Sequence, residues 1–197
     1  MGKCMNCEAY ETEKIEHCDK KECGYKLQGV GKDAEIITNE KGGKQSKAPL
    51  AMHLIDPCFL ADYAENKAAE LEETSDDSDN KIYAWGSIYH IAKFMQTNND
   101  KTYLDVAITY LELTQPQKDT LESISSVLQY GASRYKPNNW RLIPQEEHIN
   151  HALIHIYAFI LGDTQDDHID HALCRLMMAM TTEKSPDFSY TQYIKRV

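Results

Sequence analysis

Two eight-residue stretches carry five of the chain's eight histidines. The first reads His148-Ile149-Asn150-His151-Ala152-Leu153-Ile154-His155; the second, 20 positions later, reads His168-Ile169-Asp170-His171-Ala172-Leu173-Cys174-Arg175. A neutral imidazole binds divalent cations and exchanges protons near neutral pH, so histidines grouped at helical spacing invite a metal or proton-transfer reading. At about 100° per residue in a helix, His148, His151 and His155 fall within roughly 60° of arc, and His168, His171 and Arg175 do the same. A solvated helix face ordinarily carries Lys and Glu, and neither residue occurs between Ile149 and Ala179. The stripes are therefore expected to face a pocket for a metal or a phosphorylated ligand. His151, His155, Asp170 and His171 are the candidate catalytic groups, and His148 and His168 are the candidates for a second metal.

The elements that hold these groups must be helices. Ile149, Leu153, Ile156, Phe159 and Ile160 recur at helical spacing in the first stretch, as do Ile169, Leu173, Leu176, Met177 and Met180 in the second. Only a short interruption at residues 162–165 separates them, which predicts an antiparallel pair with the two polar stripes facing each other. Upstream, residues 49–65, 82–95, 101–113 and 117–130 read as further helices, with Pro116 ending one of them. No useful alternating strand pattern follows residue 40. The fold class expected is all-α, a helical bundle with a small zinc-knuckle-like segment at its N-terminal end. Its parts would be a Cys4 knuckle over 1–27, a Gly/Lys-rich linker or phosphate loop over 28–48, an all-α domain over 49–182 with an acidic loop near 70–80, and a tail over 183–197.

Two further stretches carry candidate ligands. The segment Gly131-Ala132-Ser133-Arg134-Tyr135-Lys136-Pro137-Asn138-Asn139-Trp140-Arg141 reads as a helix end followed by a loop of cations, amides and aromatics. Such side chains hold phosphates, read polar edges and stack on rings, and Arg134, Tyr135, Asn138, Asn139, Trp140 and Arg141 are the candidates there. Gly42-Gly43-Lys44 offers backbone amides and the Lys44 ammonium to a phosphate, although the Gly-Lys-Ser/Thr ending of a Walker loop is absent. Cys4-x2-Cys7 and Cys18-x4-Cys23 pair as a tetrahedral zinc site, with His17 an alternative to Cys18. So short and polar a segment would owe its fold to the metal.

The formal net charge of -10 excludes non-specific nucleic-acid binding through a basic surface. No apolar run approaches 18 residues and no signal peptide is visible, so no membrane association and a cytoplasmic location are expected.

The segments Gly42-Gly43-Lys44-Gln45-Ser46, Leu54-Ile55-Asp56-Pro57, Tyr130-Gly131-Ala132-Ser133-Arg134-Tyr135 with Asn139-Trp140-Arg141, and the two histidine stretches occur in a familiar order. Over residues 42–66 and 121–182 the chain resembles a phage and prophage family described as the N-terminal domain of dATP/dGTP diphosphohydrolases, formerly a domain of unknown function. On that resemblance residues 67–118 would be an insertion. It implies a nucleotide ligand, a phage protein acting in the host cytoplasm, and a metal-dependent nucleoside triphosphate diphosphohydrolase using Mg²⁺ or Mn²⁺. Lys44, Arg134, Arg141 and Arg175 would then neutralise phosphates, and Tyr135 or Trp140 would stack on the base. In all-α pyrophosphohydrolases paired Glu-x-x-Glu and Glu-x-x-Asp carboxylates hold the metal; here the nearest substitutes are Glu146-Glu147 and Asp166-Asp167-x-x-Asp170. The alternative is a non-catalytic protein that sequesters a nucleotide second messenger as an anti-defence sponge; a third is a zinc-knuckle adaptor for another protein. A homo-oligomer is compatible with each.

Overall fold

The computed structural model describes residues 34–74, 79–97 and 99–191. Cys4, Cys7, Cys18, Cys23 and His17, the expected knuckle, lie outside the described residues. Six helices and a two-stranded sheet make up the described chain: β1 (Ile36–Thr38), β2 (Lys44–Ser46), α1 (Pro57–Thr74), α2 (Asp79–Gln96), α3 (Thr102–Thr114), α4 (Thr120–Arg134), α5 (Gln145–Ile160) and α6 (His168–Thr181). Short 3-10 turns at Met52–Leu54 and Asn139–Leu142 precede α1 and α5.

Local chemistry sets the helix starts. Pro57 occupies the first position of α1, where its missing N–H costs nothing, and the Asp56 carboxylate accepts from the Cys58 and Phe59 backbone N–H groups at 2.9 Å each. Asp119 caps α4 in the same way, accepting from Glu122 N–H at 2.9 Å. The helix expected over 49–65 therefore begins eight positions later, behind a 3-10 turn, and runs through Glu70, Glu72 and Glu73 to Thr74. Gly131 does not end α4, which continues to Arg134.

Helix α5 occupies the centre. Only Glu147, Tyr157 and Phe159 among its residues are even partly exposed. It packs against α2 on one side and α6 on another, while α1 and α3 flank α2. Ile149, Leu153, Leu173, Leu176, Ile88 and Phe94 are fully buried where these helices meet, and each such side chain contributes about 1.5–3 kcal/mol of burial free energy. The α5–α6 pair is antiparallel as expected. Gln145 Nε2 donates to Ala179 O at 2.8 Å at one end, and His155 meets His168 at the other.

The purely helical expectation is corrected by β1 and β2, which pair antiparallel with Ile36 opposite Ser46, Ile37 opposite Gln45 and Thr38 opposite Lys44. Three-residue strands carry too little alternation to be read from sequence, and this hairpin is held by partners remote in the chain. Asn39 Nδ2 donates to Leu142 O at 2.7 Å, and a Cβ on Gly43 would lie 2.8 Å from the same oxygen. Gly43 is thus required by the close approach of two backbones, and Gly42 by its φ of +83°. Beyond Thr182, Tyr190 is buried and Phe188 packs against the core, so the described part of the expected tail is part of the body.

Gly86 allows α3 to approach α2. A Cβ there would lie 2.5 Å from the Tyr110 ring, so Gly86→Ala must displace that ring despite its better helix propensity. The expected loss is about 1–3 kcal/mol, the usual cost of overpacking, measured as a lower urea midpoint with an unchanged m-value. An unchanged midpoint would mean that Tyr110 moves away freely.

Candidate functional site

A cavity of about 1240 Å³ opens between α4, α5, α6, the 3-10 turn at Asn139–Leu142 and β2. It is larger than the ~300–1,000 Å³ usual for a small-molecule site. Its wall includes His151, His155, His171 and Asp166 together with Arg175, Lys44, Arg141 and Trp140. The sequence-expected groups are thus brought to one chamber. His148 and His168 lie behind its wall rather than in it.

At the histidine end, His155 Nδ1 and His168 Nδ1 are 3.1 Å apart, and the His155 and His171 rings are 4.8 Å apart. Ligand atoms of His155, His168 and Asp166 all lie within 4.8 Å of one another. Two nitrogens on one ion at about 2.0–2.1 Å are separated by about 2.8–3.4 Å for right-angled to tetrahedral bond angles, so the observed spacing fits a shared cation. His168 Nε2 faces Asp163 Oδ1 at 3.5 Å, and His171 Nε2 faces Asp166 Oδ1 at 3.3 Å. At 3.5 Å His168 Nε2 forms no hydrogen bond with Asp163, so the ring's hydrogen-bond contact is the one its Nδ1 makes with His155. Burial raises the Asp166 pKa, but the hydrogen bond and charge of His171 outweigh it and hold the carboxyl below its ordinary range.

Arg175 lies next along α6. Its Nη1 donates to His148 Nδ1 at 3.2 Å, and His148 Nε2 meets Trp140 O at 3.1 Å. An arginine has no lone pair to offer, so His148 must be the neutral tautomer with its proton on Nε2. Both His148 nitrogens are spent within the protein, and its expected role at a second metal gives way to that of a tether between α6 and the Trp140 turn. Asp170 is also diverted. Its carboxylate accepts from Lys118 Nζ and, at 3.0 Å, from Gln115 Nε2, tying α6 to the connection between α3 and α4.

Asn139 likewise serves structure, accepting from Lys44 N–H at 2.9 Å and donating to Lys44 O at 2.6 Å, which welds β2 to the turn. Asn138 adopts the left-handed conformation, with φ of +60°, that starts this turn. Arg141 stacks on Trp140 with its guanidinium carbon 4.4 Å from the ring centroid, and Arg134 stacks on Tyr135 at 5.6 Å. Arg134 also donates to Tyr130 Oη at 3.1 Å, and the Tyr135 hydroxyl is 3.3 Å from Ser46 Oγ. Asp163, Gln115 and Lys118 were not among the expected site residues, and Asp166 was expected only as a substitute for the family's metal-holding carboxylates. The available signal was that both aspartates occupy the short loop joining the two histidine stretches.

A family model described as dATP/dGTP diphosphohydrolase, N-terminal, matches residues 90–189, a little over half of the 197-residue chain. The chain belongs to this family. The match spans from within α2 to beyond α6, so residues 90–118, expected to be part of an insertion, lie within the matched range, and residues 42–66 lie ahead of it. Lys118 and Gln115 show why the α3 region belongs: they neutralise and orient Asp170. No curated protein and no solved structure matches the chain.

Burial, with the Arg175 guanidinium beside it, holds the His148 imidazole down to about 3. Burial also lowers His151 and His155 well below the ordinary histidine value, with Arg175 adding to the effect on His151 and the neighbouring His171 and His168 adding to that on His155. Unfolding frees all three to take up protons below about pH 6.5, while the folded protein resists doing so until near pH 3 for His148. Stability is therefore full above about pH 6.5 and falls as the pH drops, by up to about 1.4 kcal/mol per pH unit for each such histidine. Urea midpoints between pH 7.5 and 5 test this, and a flat profile would contradict it.

Proposed function

We propose that the protein is a divalent-metal-dependent nucleotide phosphohydrolase that converts a purine deoxynucleoside triphosphate and water to the monophosphate and diphosphate. The observation that supports this most is that ligand atoms of His155, His168 and Asp166 lie within 4.8 Å of one another, with His155 and Asp166 on the wall of a nucleotide-sized cavity and His168 behind it. Family membership supplies the substrate class.

His155, His168 and Asp166 would hold the ion. A divalent cation supplies Lewis acidity at a phosphoanhydride when bound there. Asp163 lies 3.5 Å from His168 Nε2, and His171 fixes the Asp166 carboxylate in its ionised form. Arg175, Arg141 and Lys44 place positive charge along the rest of the wall, where phosphates would develop negative charge. The Trp140–Arg141 stack offers a planar cationic surface to a base. Imidazole-rich donor sets suit Mn²⁺, Co²⁺ or Zn²⁺ better than Mg²⁺, which prefers oxygen.

Turnover of each deoxynucleoside triphosphate is expected with Mn²⁺ or Co²⁺ at rates above those with Mg²⁺, and chelation should abolish it. His155→Ala or Asp166→Asn should lower kcat/KM by about 100-fold or more. Absence of turnover with every combination would remove the hydrolase reading. A nucleotide recovered intact from denatured protein would then favour sequestration.

A further inference from the structure

Helix α6 sets an order along the chamber. Seven residues turn a helix through about 700°, so Met178 lies within about 20° of His171 around the axis and about 10 Å further along it. Arg175 falls between them, and all three line the cavity. One face of α6 therefore presents imidazole, guanidinium and thioether in turn. Helix α5 keeps the same order from the other side: His155 meets His168, His148 meets Arg175, and Gln145 reaches Ala179 O. His148 Nε2 lies 3.1 Å from Trp140 O, which sets the Trp140 turn at the level of Arg175 and Met178. Among the described residues, α6 adds only Met177, Met178 and Thr181 to the lining beyond Arg175, none of them charged. Met178 and Ile143 are 7% and 3% exposed, yet neither they nor Met177 and Trp140 belong to the hydrophobic core or pack against it. Apolar side chains withdrawn from water but left out of the core lose dispersion contacts unless an apolar group fills the cavity beside them.

We infer that Met178, flanked by Ile143, forms the second wall of a base site opposite the Trp140–Arg141 stack, and that a purine lies between the thioether and that stack with its phosphates running back along α6 toward His171. The inference rests on the hydrolase reading for its class of ligand and adds the direction in which the nucleotide lies. A thioether sulfur and its methyl group are polarisable and favour contact with an aromatic ring. Arg141, already 4.4 Å from the indole centroid, adds a cation to the facing wall. With cation site and guanidinium both placed for phosphates, the base falls at the end of α6 that carries no charge.

Calorimetry of the full chain in excess EDTA, with deoxyadenosine 5′-monophosphate and with the baseless 2-deoxyribose 5-phosphate, provides the test. The two probes share sugar and phosphate, so the ratio of their affinities isolates the base. The nucleotide is expected to bind about 5- to 150-fold tighter, the worth of one base stacked on an aromatic side chain. Met178→Gln should lower that ratio by about 2- to 10-fold, the worth of a sulfur–aromatic contact, while Met178→Leu, which keeps an apolar wall, should retain most of it. In wild-type protein carbon-13-labelled at its methionine methyl groups, the Met178 signal, assigned by its loss in Met178→Leu, should move upfield with the nucleotide, because a purine shields what lies over its face. The sugar phosphate should leave it in place. Equal affinities for the two probes, an unchanged ratio in Met178→Gln, or a Met178 signal indifferent to the nucleotide would each overturn the base site. Should Met178→Gln fail to fold, the methyl signal decides. Base-dependent binding without turnover under any metal would remove the hydrolase and leave the base site; turnover with a silent Met178 signal would do the reverse.

Discussion

A helix that is buried all round yet rich in polar side chains constrains everything near it. Helix α5 carries Gln145, Glu146, His148, Asn150, His151 and His155 into the interior, where an unpaired polar group costs about 1–3 kcal/mol. The surrounding segments are arranged to meet them. Asn150 donates to Leu50 O at 2.9 Å and accepts from His53 N–H at 3.3 Å, Glu146 accepts from Ser185 N–H at 3.1 Å, and Gln145 reaches Ala179 and Thr182 carbonyls. The turn before α1, the segment after α6 and the Trp140 turn are thus all fastened to one helix by its polar residues. Apolar burial supplies the driving force for assembly, and these hydrogen bonds select the arrangement.

The same constraint creates the chamber. Where partners suffice, α5 is closed off; where they do not, at His151 and along the facing side of His155, a cavity remains. Low polarisability around the imidazoles keeps them neutral, and neutral imidazoles are the form that ligates cations. A hydrolase of the kind proposed would benefit from this, because neutral rings would leave room for a cation's charge while the Arg175 guanidinium stands at the next turn of α6. The two aspartates of the α5–α6 loop approach the histidine end from outside the helices, Asp163 3.5 Å from His168 Nε2 and Asp166 3.3 Å from His171 Nε2.

Asp170 illustrates how neighbouring elements reassign a residue. Its position in the second histidine stretch made it a natural companion of His171, although consecutive helical residues point about 100° apart. Lys118 and Gln115, more than 50 positions upstream, approach from the other side and take the carboxylate instead. Asn139 shows the same effect on the loop side: an amide suited to reading a ligand edge is satisfied by both backbone groups of Lys44.

Much was legible in the amino-acid order alone. The 3.6-residue recurrence of apolar side chains located the helices, the twin histidine stretches marked α5 and α6 as an antiparallel pair, and the motif order pointed to the family. Periodicity fixes which side chains share a face because helix geometry is local. It carries no information about which nitrogen of a ring is already engaged, which carboxylate a distant lysine has claimed, or where three-residue strands find a partner. Those depended on contacts between segments far apart in the chain. Only the folded packing decided that His148 braces Arg175, that Asp166 joins His155 and His168, and that the hairpin lies against the Trp140 turn.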